Sequence, residues 1–336
     1  MIENLVKSDI VNNYMNTILV TGSEGNIGTY LVKYLERARL DFRVIRVKLK
    51  DKEDDAEKNG DIYFGNLSDS IFVQKIFQEN KIDYVIHLAS RNYNINDLKN
   101  NAYEIYGNDT KCLLNVLDNC KNIKKFVYFS SALIYESSSE PNLEENLTDL
   151  ILPPKSSLGS AKYFGERAVE FFHQQYGVPY TIWRPFNVVS PLESHEREGG
   201  HVFIDFYRKI FIERSRKIQI YGTGRQVKCF IWVEDLVSAI SDFLDNPKTD
   251  NQIFNIAGQE QKTLIDLAET LIKIGKDKSV LLKNYNPEIV PEKEFLSGKE
   301  QQKIPNTEKM KNVFGWECNT SFNDCFEKFI EYKQKI

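Results

Sequence analysis

The sequence of 336 residues lacks the features that mark several classes of protein. No apolar run approaches the roughly 20 residues that a transmembrane helix needs, and the polar, acid-containing first residues do not resemble a secretion signal. The five cysteines are odd in number and form no C-x-x-C pair, so we expect reduced thiols, with neither a disulfide framework nor a metal site. The formal net charge of −4 gives no electrostatic reason to bind nucleic acid or a membrane surface. We therefore predict a cytoplasmic protein with neither of these partners.

Short apolar runs alternate with amphipathic stretches in the first half of the chain, a pattern typical of a parallel sheet covered on both faces. The predicted strands are 17–22, 42–47, 61–66, 84–90, 125–131 and 180–189, and the predicted helices are 26–38, 69–79, 97–119 and 157–176. After about residue 190 the pattern becomes mixed and includes a predicted helix from 201 to 214. We predict an α/β fold in which a doubly wound parallel (Rossmann) sheet occupies 16–189. A smaller mixed α/β substrate lobe would occupy 190–336, with segments around 228–258 returning to the main domain.

The stretch TGSEGNIG, residues 21–28, places Gly22, Gly25 and Gly28 between the first predicted strand and the first predicted helix. Glycines let the backbone turn sharply and approach a diphosphate, and the helix N-terminus then presents unpaired N–H groups to that anion. We therefore predict dinucleotide binding by this loop, including Asn26 and Ile27; the alternative is a purely structural turn.

The end of the second predicted strand should contact the adenosine ribose of a bound dinucleotide. An acid there usually hydrogen-bonds the 2′-hydroxyl group, whereas an arginine accommodates a 2′-phosphate. The segment VIRVKLK, residues 44–50, contains no acid, and the first acid after it is Asp51. Arg46, Lys48 and Lys50 in this segment are basic. This composition favours NADP(H) over NAD(H); the alternative is that these cations are only exposed residues at a strand end.

Six further blocks follow in order along the chain: GNLSD (65–69), VIHLAS (85–90), KKFVYFSSALIY (124–135), GSAKYFGE (159–166), RPFNVVSP (184–191) and IYGTGRQVKCFIWVEDL (220–236). Together with the glycine loop they resemble the extended short-chain dehydrogenase/reductase family, whose members are NAD(P)-dependent epimerases, dehydratases and reductases of nucleotide sugars. The resemblance covers roughly residues 16 to 330. It implies a homodimer that pairs helices 97–119 and 157–176 across a two-fold axis.

The resemblance also assigns roles to individual residues. The cofactor-binding residues that it implies are Gly22, Gly25, Asn26, Ile27, Gly28, Arg46, Asn66, Leu67, Leu88, Ala89, Ser90, Lys162 and Pro185. The implied substrate-binding residues are Ser131, Asn187, Arg225 and Lys228, with the diphosphate near Asn187 and Lys228. The implied catalytic residues are Ser131 and Lys162, and His201 stands where some reductase-epimerases of the family carry a catalytic histidine.

One position departs from the family chemistry, which uses a tyrosine to move a proton, a lysine four residues later and a serine or threonine. Ser131 and Lys162 are present, but the tyrosine position is Leu158. His201 is a candidate replacement; the alternative is a histidine that closes a loop-to-helix junction. Tyr135 and Tyr163 are more typical of packing residues.

The stretch after Ser131 also departs from the family's dehydratases, which place acid–base groups there. Ala132 and Leu133 argue against 4,6-dehydration.

Three functions therefore compete. The first is NAD(P)-dependent reduction, oxidation or epimerisation of a nucleotide-activated sugar, with an atypical acid–base group. The second is a catalytically impaired dinucleotide-binding protein that acts as a sensor or as the partner of an active enzyme. The third is an NADP-linked reductase of a carbonyl compound without a nucleotide.

Overall fold

The computed structural model describes residues 16–49, 58–90, 100–138, 140–196, 200–292 and 302–335. The strands are β1 (Asn16–Thr21), β2 (Phe42–Lys48), β3 (Lys58–Asn59), β4 (Ile62–Phe64), β5 (Tyr84–His87), β6 (Lys125–Phe129), β7 (Asn142–Leu143), β8 (Tyr180–Pro185), β9 (Val188–Val189), β10 (Lys217–Tyr221), β11 (Val227–Cys229), β12 (Ile231–Trp232), β13 (Gln252–Ile256), β14 (Gln261–Thr263), β15 (Glu288–Glu292) and β16 (Ile304–Pro305). The α-helices are α1 (Gly28–Ala38), α2 (Ser70–Glu79), α3 (Ala102–Leu117), α4 (Ser157–Tyr176), α5 (Val202–Tyr207), α6 (Val233–Asp242), α7 (Leu264–Asp277), α8 (Glu308–Phe314) and α9 (Phe322–Lys333).

Seven parallel strands form the central sheet in the order β13-β8-β6-β5-β1-β2-β4, and the short β3 pairs antiparallel with β4. This arrangement confirms the predicted doubly wound α/β fold. The strand order reverses between β1 and β5. β2 and β4 lie on one side of β1, and β5, β6, β8 and β13 lie on the other side. In such sheets ligands bind outside the carboxyl ends of the strands at this reversal.

Alternate residues of β1 enter different cores, as expected for a sheet that is buried on both faces. Ile18 and Val20 pack in a large core that continues into the second half of the chain. Leu19 packs in a second core with residues of α2, α3 and α4. A third and smaller core, which includes Ile134, Phe186 and Cys229, lies between the end of β8 and β11.

The second half of the chain adds one strand to the main sheet. β13 pairs in parallel with β8, with Phe254 opposite Trp183. β12 pairs with β9, and β11 pairs with β14, so short ribbons connect this half to the end of β8. Within the described ranges, no helix is long and apolar enough to cross a membrane.

The predicted helix from 201 to 214 differs from the structure. Only Val202–Tyr207 is α-helical; Arg208–Ile212 forms a π-turn, and the chain then reverses at Arg214, whose φ is 52°. The start of the predicted helix 97–119 includes residues up to 99, which lie outside the described residues; α3 begins at Ala102.

Candidate active site

The glycine loop joins β1 to α1 at the reversal of strand order. Gly22 has a φ of 68°, and its carbonyl accepts a hydrogen bond from the Gly25 N–H at 3.1 Å. A Cβ atom at Gly28 would lie 2.1 Å from the Gly22 carbonyl oxygen, so only glycine fits there. No side chain caps the N-terminus of α1, where Ile27 is the N-cap residue. Because the first N–H groups of α1 have no side-chain cap, the loop fits a bound diphosphate.

A buried threonine–histidine pair fixes the loop against β5. The Thr21 hydroxyl lies 3.0 Å from Nδ1 of His87 and accepts the Ala89 N–H at 3.3 Å. Burial, together with the nearby Lys162 charge, lowers the pKa of His87 to about 3. The imidazole is therefore neutral, and one member of the pair donates the hydrogen bond that the other accepts. Sequence reasoning missed this pair, because no motif links residues so far apart along the chain.

The three cations predicted at the end of β2 are placed differently from one another. Arg46 pairs with Glu36 in the second half of α1, away from the glycine loop. Lys48 lies at the end of the strand, where its ammonium is 2.5 Å from the Glu24 carboxylate in the glycine loop. Lys50 lies outside the described residues. The structure therefore brings Lys48, and not Arg46, to the loop.

The predicted cofactor residues Asn66 and Leu67 lie just after β4, the strand that neighbours β2. The Gly65 N–H donates to the Lys48 carbonyl at 2.9 Å, so the segment starts beside the end of that strand. Asn66 is exposed and its Oδ1 accepts the Ser68 N–H at 2.9 Å, whereas Leu67 is buried. An exposed amide beside a buried leucine is compatible with a planar base lying over this segment.

The end of β5 carries three predicted cofactor residues, Leu88, Ala89 and Ser90. A Cβ atom at Gly22 would lie 2.8 Å from the Ala89 nitrogen, which shows how closely this segment approaches the glycine loop. The Ser90 hydroxyl donates to Oδ2 of Asp109 on α3 at 2.6 Å. The other oxygen of Asp109 is buried without a hydrogen-bond partner.

Lys162 and Leu158 lie one turn apart on α4, and therefore on the same face. Ser156 caps this helix by accepting the Gly159 N–H at 3.1 Å, which sets the register. The buried Lys162 ammonium donates to the Phe129 carbonyl at 2.8 Å, at the end of β6. Burial lowers the pKa of Lys162, although the Asp109 and Glu166 carboxylates act in the opposite direction. Leu158 is half-buried and has no group that could carry a proton.

Ser131 directly follows the end of β6 and caps a 3₁₀ turn, Ala132–Tyr135, accepting the Leu133 N–H at 3.2 Å. Its hydroxyl proton is therefore available to a ligand.

Pro185, at the end of β8, is half-buried, and the backbone N–H of the next residue, Phe186, bonds to the Ile256 carbonyl of β13.

Tyr135 is occupied by a buried hydrogen-bond network. Its hydroxyl accepts from Arg184 at 2.7 Å and donates to Asn255 at 2.8 Å. Arg184 in turn makes two hydrogen bonds to the Glu166 carboxylate, at 2.9 and 2.6 Å, and neither side chain is exposed. Burial raises the pKa of Tyr135, so this phenol holds its proton in a structural role.

Tyr163 is half-buried, with the Arg167 guanidinium 5.7 Å from the centre of its ring.

The predicted substrate-binding residues follow β8 and surround β11. Asn187 has a left-handed φ of 40°, and its amide donates to the Cys229 carbonyl at 2.8 Å. This bond leaves the side-chain oxygen of Asn187 as an acceptor. Arg225 is exposed in the turn before β11, and Lys228 is half-buried in the middle of that strand.

His201 forms a pair with a buried carboxylate. Its Nδ1 lies 2.7 Å from Oε1 of Glu193, and the same oxygen faces the His201 backbone N–H at 3.4 Å. The Glu193 side chain is 8% exposed and that of His201 is 61% exposed. Desolvation of the ring lowers the pKa of His201. The hydrogen bond and the charge of Glu193 outweigh this effect and raise the pKa above its ordinary value.

This pair is anchored next to the glycine loop. The Glu193 N–H bonds to the Ser190 carbonyl, and the Ser190 hydroxyl donates to the Asn26 carbonyl at 2.9 Å. Lys333 of α9 donates to the Glu193 carbonyl at 2.7 Å. The backbone of Glu193 is therefore held on both sides, and Glu193 is a residue that sequence reasoning missed.

Lys303 is a second missed residue. It directly precedes β16, which pairs with β7 and packs against β11, and so it comes beside Lys228. The region before it carries no recognised motif, and only the strand pairing in the fold brings it to the site. Groups of His, Cys, Asp and Glu that could hold a metal ion are not found in the described part of the chain.

Comparisons with known proteins agree with this geometry. The model of the NAD dependent epimerase/dehydratase family matches residues 18–257. The chain is 27% identical over 283 residues to the dTDP-D-glucose 4,6-dehydratase of Dictyostelium discoideum, a match that covers 78% of this chain and 63% of that protein. It is 24% identical to the dTDP-D-glucose 4,6-dehydratase of Bos taurus, over 96% of this chain and 89% of that protein.

Among solved structures, the UDP-glucose 4-epimerase of Thermotoga maritima, determined with UDP-glucose, superposes with a TM-score of 0.77 at 26% identity. The superposition covers 95% of this chain and 99% of that chain.

Proposed function

The chain belongs to the NAD dependent epimerase/dehydratase family, and from this membership we propose that it is an enzyme that modifies a nucleotide-activated sugar by reduction, oxidation or epimerisation. The observation that carries the proposal is the glycine loop before an uncapped α1, placed at the strand-order reversal and at the same edge of the sheet as the buried Lys162. This arrangement suits a dinucleotide whose nicotinamide lies at the carboxyl ends of the strands. When bound, the nicotinamide accepts or donates the hydride.

The residues of the chain bind and orient the reactants in this proposal. The glycine loop holds the diphosphate of the dinucleotide, and Lys162 holds the adjacent ribose while its charge favours a developing alkoxide. Ser131 hydrogen-bonds the oxygen on the reacting sugar carbon. Asn187 and Lys228 hold the diphosphate of the substrate.

We propose His201 as the group that moves the proton, in place of the tyrosine that Leu158 replaces. Glu193 fixes Nδ1 at 2.7 Å and favours the charged imidazole, so that Nε2 can donate a proton to the sugar oxygen. After this transfer the neutral imidazole takes up a new proton from solvent, to which the ring is exposed. Dehydration is disfavoured, because Ala132 and Leu133 occupy the stretch where such chemistry needs an acid and a base.

The experiment that tests this function is mass spectrometry of small molecules released when the purified protein is denatured, followed by turnover assays with UDP- and dTDP-sugars. We expect a nicotinamide dinucleotide to be released and at least one nucleotide sugar to be converted. The proposal would be overturned if the denatured protein released no dinucleotide and the native protein also failed to bind added NAD(H) or NADP(H).

The role of His201 has its own test in the pH profile of kcat. The reactive form is protonated, and Glu193 raises its pKa, so activity should persist below that pKa and fall as the pH rises through it. Glu193→Gln removes the charge that raises the pKa, so the fall should move to lower pH. His195→Asn, in the same loop, is the matched control and should leave the profile in place. An unchanged profile in Glu193→Gln would assign the proton transfer to another group.

A further inference from the structure

Asp109 is a buried carboxylate to which the proposed function gives no role. It lies in the middle of α3 and is 8% exposed. None of the sequence blocks that carry the family resemblance includes this residue. Burying a carboxylate is costly unless hydrogen bonds or an opposite charge compensate it, so the surroundings of Asp109 indicate what it serves.

Only one of the two carboxylate oxygens of Asp109 has a hydrogen bond. The Ser90 hydroxyl donates to Oδ2 at 2.6 Å, whereas Oδ1 is buried and has no hydrogen-bond partner. Ser90 follows the end of β5, and the residue before it, Ala89, closely approaches Gly22 of the glycine loop. The carboxylate of Asp109 is therefore held at the edge of the sheet where the glycine loop lies.

Lys162 is the cation nearest in character to a partner for Asp109, but the two do not form a direct ion pair. The Lys162 ammonium donates to the Phe129 carbonyl at 2.8 Å, at the end of β6, the strand next to β5. Within the described residues it has no ion pair. Burial lowers the pKa of Lys162 and the Asp109 charge acts in the opposite direction, which agrees with two opposite charges held apart at the ends of neighbouring strands.

The other ionisable groups around these two charges are paired or neutral. The Glu166 carboxylate accepts two hydrogen bonds from Arg184, at 2.9 and 2.6 Å. Burial raises the pKa of the Tyr128 phenol and lowers the pKa of His87, so neither side chain is charged. Among the described residues at this edge, the charges that have no ion-pair partner are therefore the lysine and Asp109.

A buried negative charge distinguishes the two forms of a nicotinamide dinucleotide, because the ring is positively charged when oxidised and neutral when reduced. The Lys162 ammonium disfavours a positive ring, and a carboxylate nearby offsets this repulsion. Such an interaction acts over several ångströms where water is excluded. Since the protein encloses Oδ1 of Asp109, this oxygen would act through its charge and not through a contact with the ligand.

We propose that the Asp109 carboxylate shifts the binding of a nicotinamide dinucleotide toward its oxidised form, and so lowers the reduction potential of the bound cofactor. This inference rests on the proposed function for the identity of the ligand. Its test uses the dinucleotides without a sugar, so it does not depend on turnover.

Isothermal titration calorimetry of the full chain with NAD⁺, NADH, NADP⁺ and NADPH gives the ratio of the oxidised to the reduced Kd. Asp109→Asn keeps the size of the side chain and an acceptor for Ser90 but removes the charge. This ratio should rise about tenfold in the variant, and such a change raises the potential of the bound two-electron couple by about 30 mV. Asp109→Ser, a smaller neutral side chain, should raise the ratio in the same direction.

The matched control makes the same substitution at the other end of the helix. Asp118 is the exposed C-cap residue of α3, where solvent and salt screen its charge. Asp118→Asn should therefore leave the ratio within about twofold.

ADP-ribose and its 2′-phosphate separate the charge effect from a structural one, because they lack the nicotinamide. Their affinities should stay within about twofold in Asp109→Asn, since they carry no ring charge for the carboxylate to attract. A purely structural role of Asp109 would instead weaken all probes alike. Thermal unfolding of each variant verifies that it is folded.

The outcomes separate this inference from the proposed function. An unchanged ratio in both neutral variants, or an equal loss of affinity for ADP-ribose and for the oxidised dinucleotide, would overturn the role of Asp109 and leave the proposed function in place. A protein that binds none of the four dinucleotides would overturn the proposed function, and this inference with it.

Discussion

We propose that Leu158 stands where the family carries its proton-transferring tyrosine, and that this residue separates the chain from the usual family chemistry. The residue occupies the first turn of α4, one turn before Lys162, and is half-buried. A leucine there retains the packing of the helix on the cleft but removes the hydroxyl that would move a proton. The lysine, whose ammonium is held by the Phe129 carbonyl, stays in position for a cofactor ribose.

Restoring the hydroxyl is the direct test of this position. In a His201→Ala background, which lacks the proposed acid, Leu158→Tyr should raise the rate of hydride transfer by roughly 100-fold, because a positioned general acid contributes about 10²–10⁴-fold. Leu158→Phe, which adds the ring without the hydroxyl, is the matched control and should give no gain. Stopped-flow measurement of the nicotinamide absorbance follows the step. Equal rates in both variants would show that the cleft is not arranged for a phenol.

The choice between NADP(H) and NAD(H) also depends on single residues. We propose that NADP(H) is preferred and that Lys48 contributes more than Arg46, because Lys48 pairs with the glycine loop while Arg46 pairs with Glu36. Lys48→Ala should therefore weaken NADP(H) binding at least fivefold relative to NAD(H). Arg46→Ala should change both affinities equally. Fluorescence titration of the reduced cofactors measures both ratios, and a larger selective loss in Arg46→Ala would reverse this assignment.

At the scale of single elements, the connection from β1 to α1 tolerates little change. In Gly28→Ala the new Cβ would stand 2.1 Å from the Gly22 carbonyl oxygen, so the loop must open. We expect loss of dinucleotide binding and a decrease of about 1–3 kcal/mol in the free energy of unfolding. Gly107→Ala is the control, since nothing lies within 4 Å of its added Cβ and alanine favours a helix. Urea unfolding and cofactor titration would separate the two variants; equal behaviour would contradict the steric argument.

Elements with strong local signals could be predicted from the sequence. The predicted helix 157–176 agrees with α4 because Ser156 caps its start and Gly177, with a φ of 72°, ends it. The strand from 125 to 131 was predicted two residues too long: the Ser130 N–H still bonds to the Trp183 carbonyl of β8, but Ser131 already caps the 3₁₀ turn. A run of apolar residues in the sequence does not by itself show where hydrogen bonding to the neighbouring strand stops.

Contacts between distant elements could not be predicted in this way. The His201–Glu193 pair joins the segment after β9 to the start of α5, and the approach of Lys303 to Lys228 depends on β16 pairing with β7. Neither relation has a periodicity or a spacing that the sequence displays. The roles assigned to Ser131, Asn187 and Lys228 came from the family resemblance and stay predictions.

At the scale of the whole molecule, we propose that two copies pair through α3 and α4. Tyr103 is 84% exposed and Phe171 63% exposed, and Tyr106 and Phe164 join the two helices with ring centroids 6.4 Å apart. Phe171→Glu should convert a dimer into a monomer, because it places a charge in this apolar face. Leu282→Glu, at an exposed position between α7 and β15, is the control. Light scattering after gel filtration reports the mass, and a dimeric Phe171→Glu would place the interface elsewhere.

The late addition of β13 to the sheet bears on how this protein emerges from the ribosome. Trp183 in β8 pairs with Phe254 in β13, 71 positions later, and Asn255 closes the buried network of Tyr135 and Arg184. At roughly 5–20 residues per second of synthesis, β8 waits about 4 to 14 s for its neighbour. During that interval the edge of β8 and the Tyr135 hydroxyl lack the partners that β13 supplies. Completion of the main sheet thus depends on a strand that is translated within the second half of the chain.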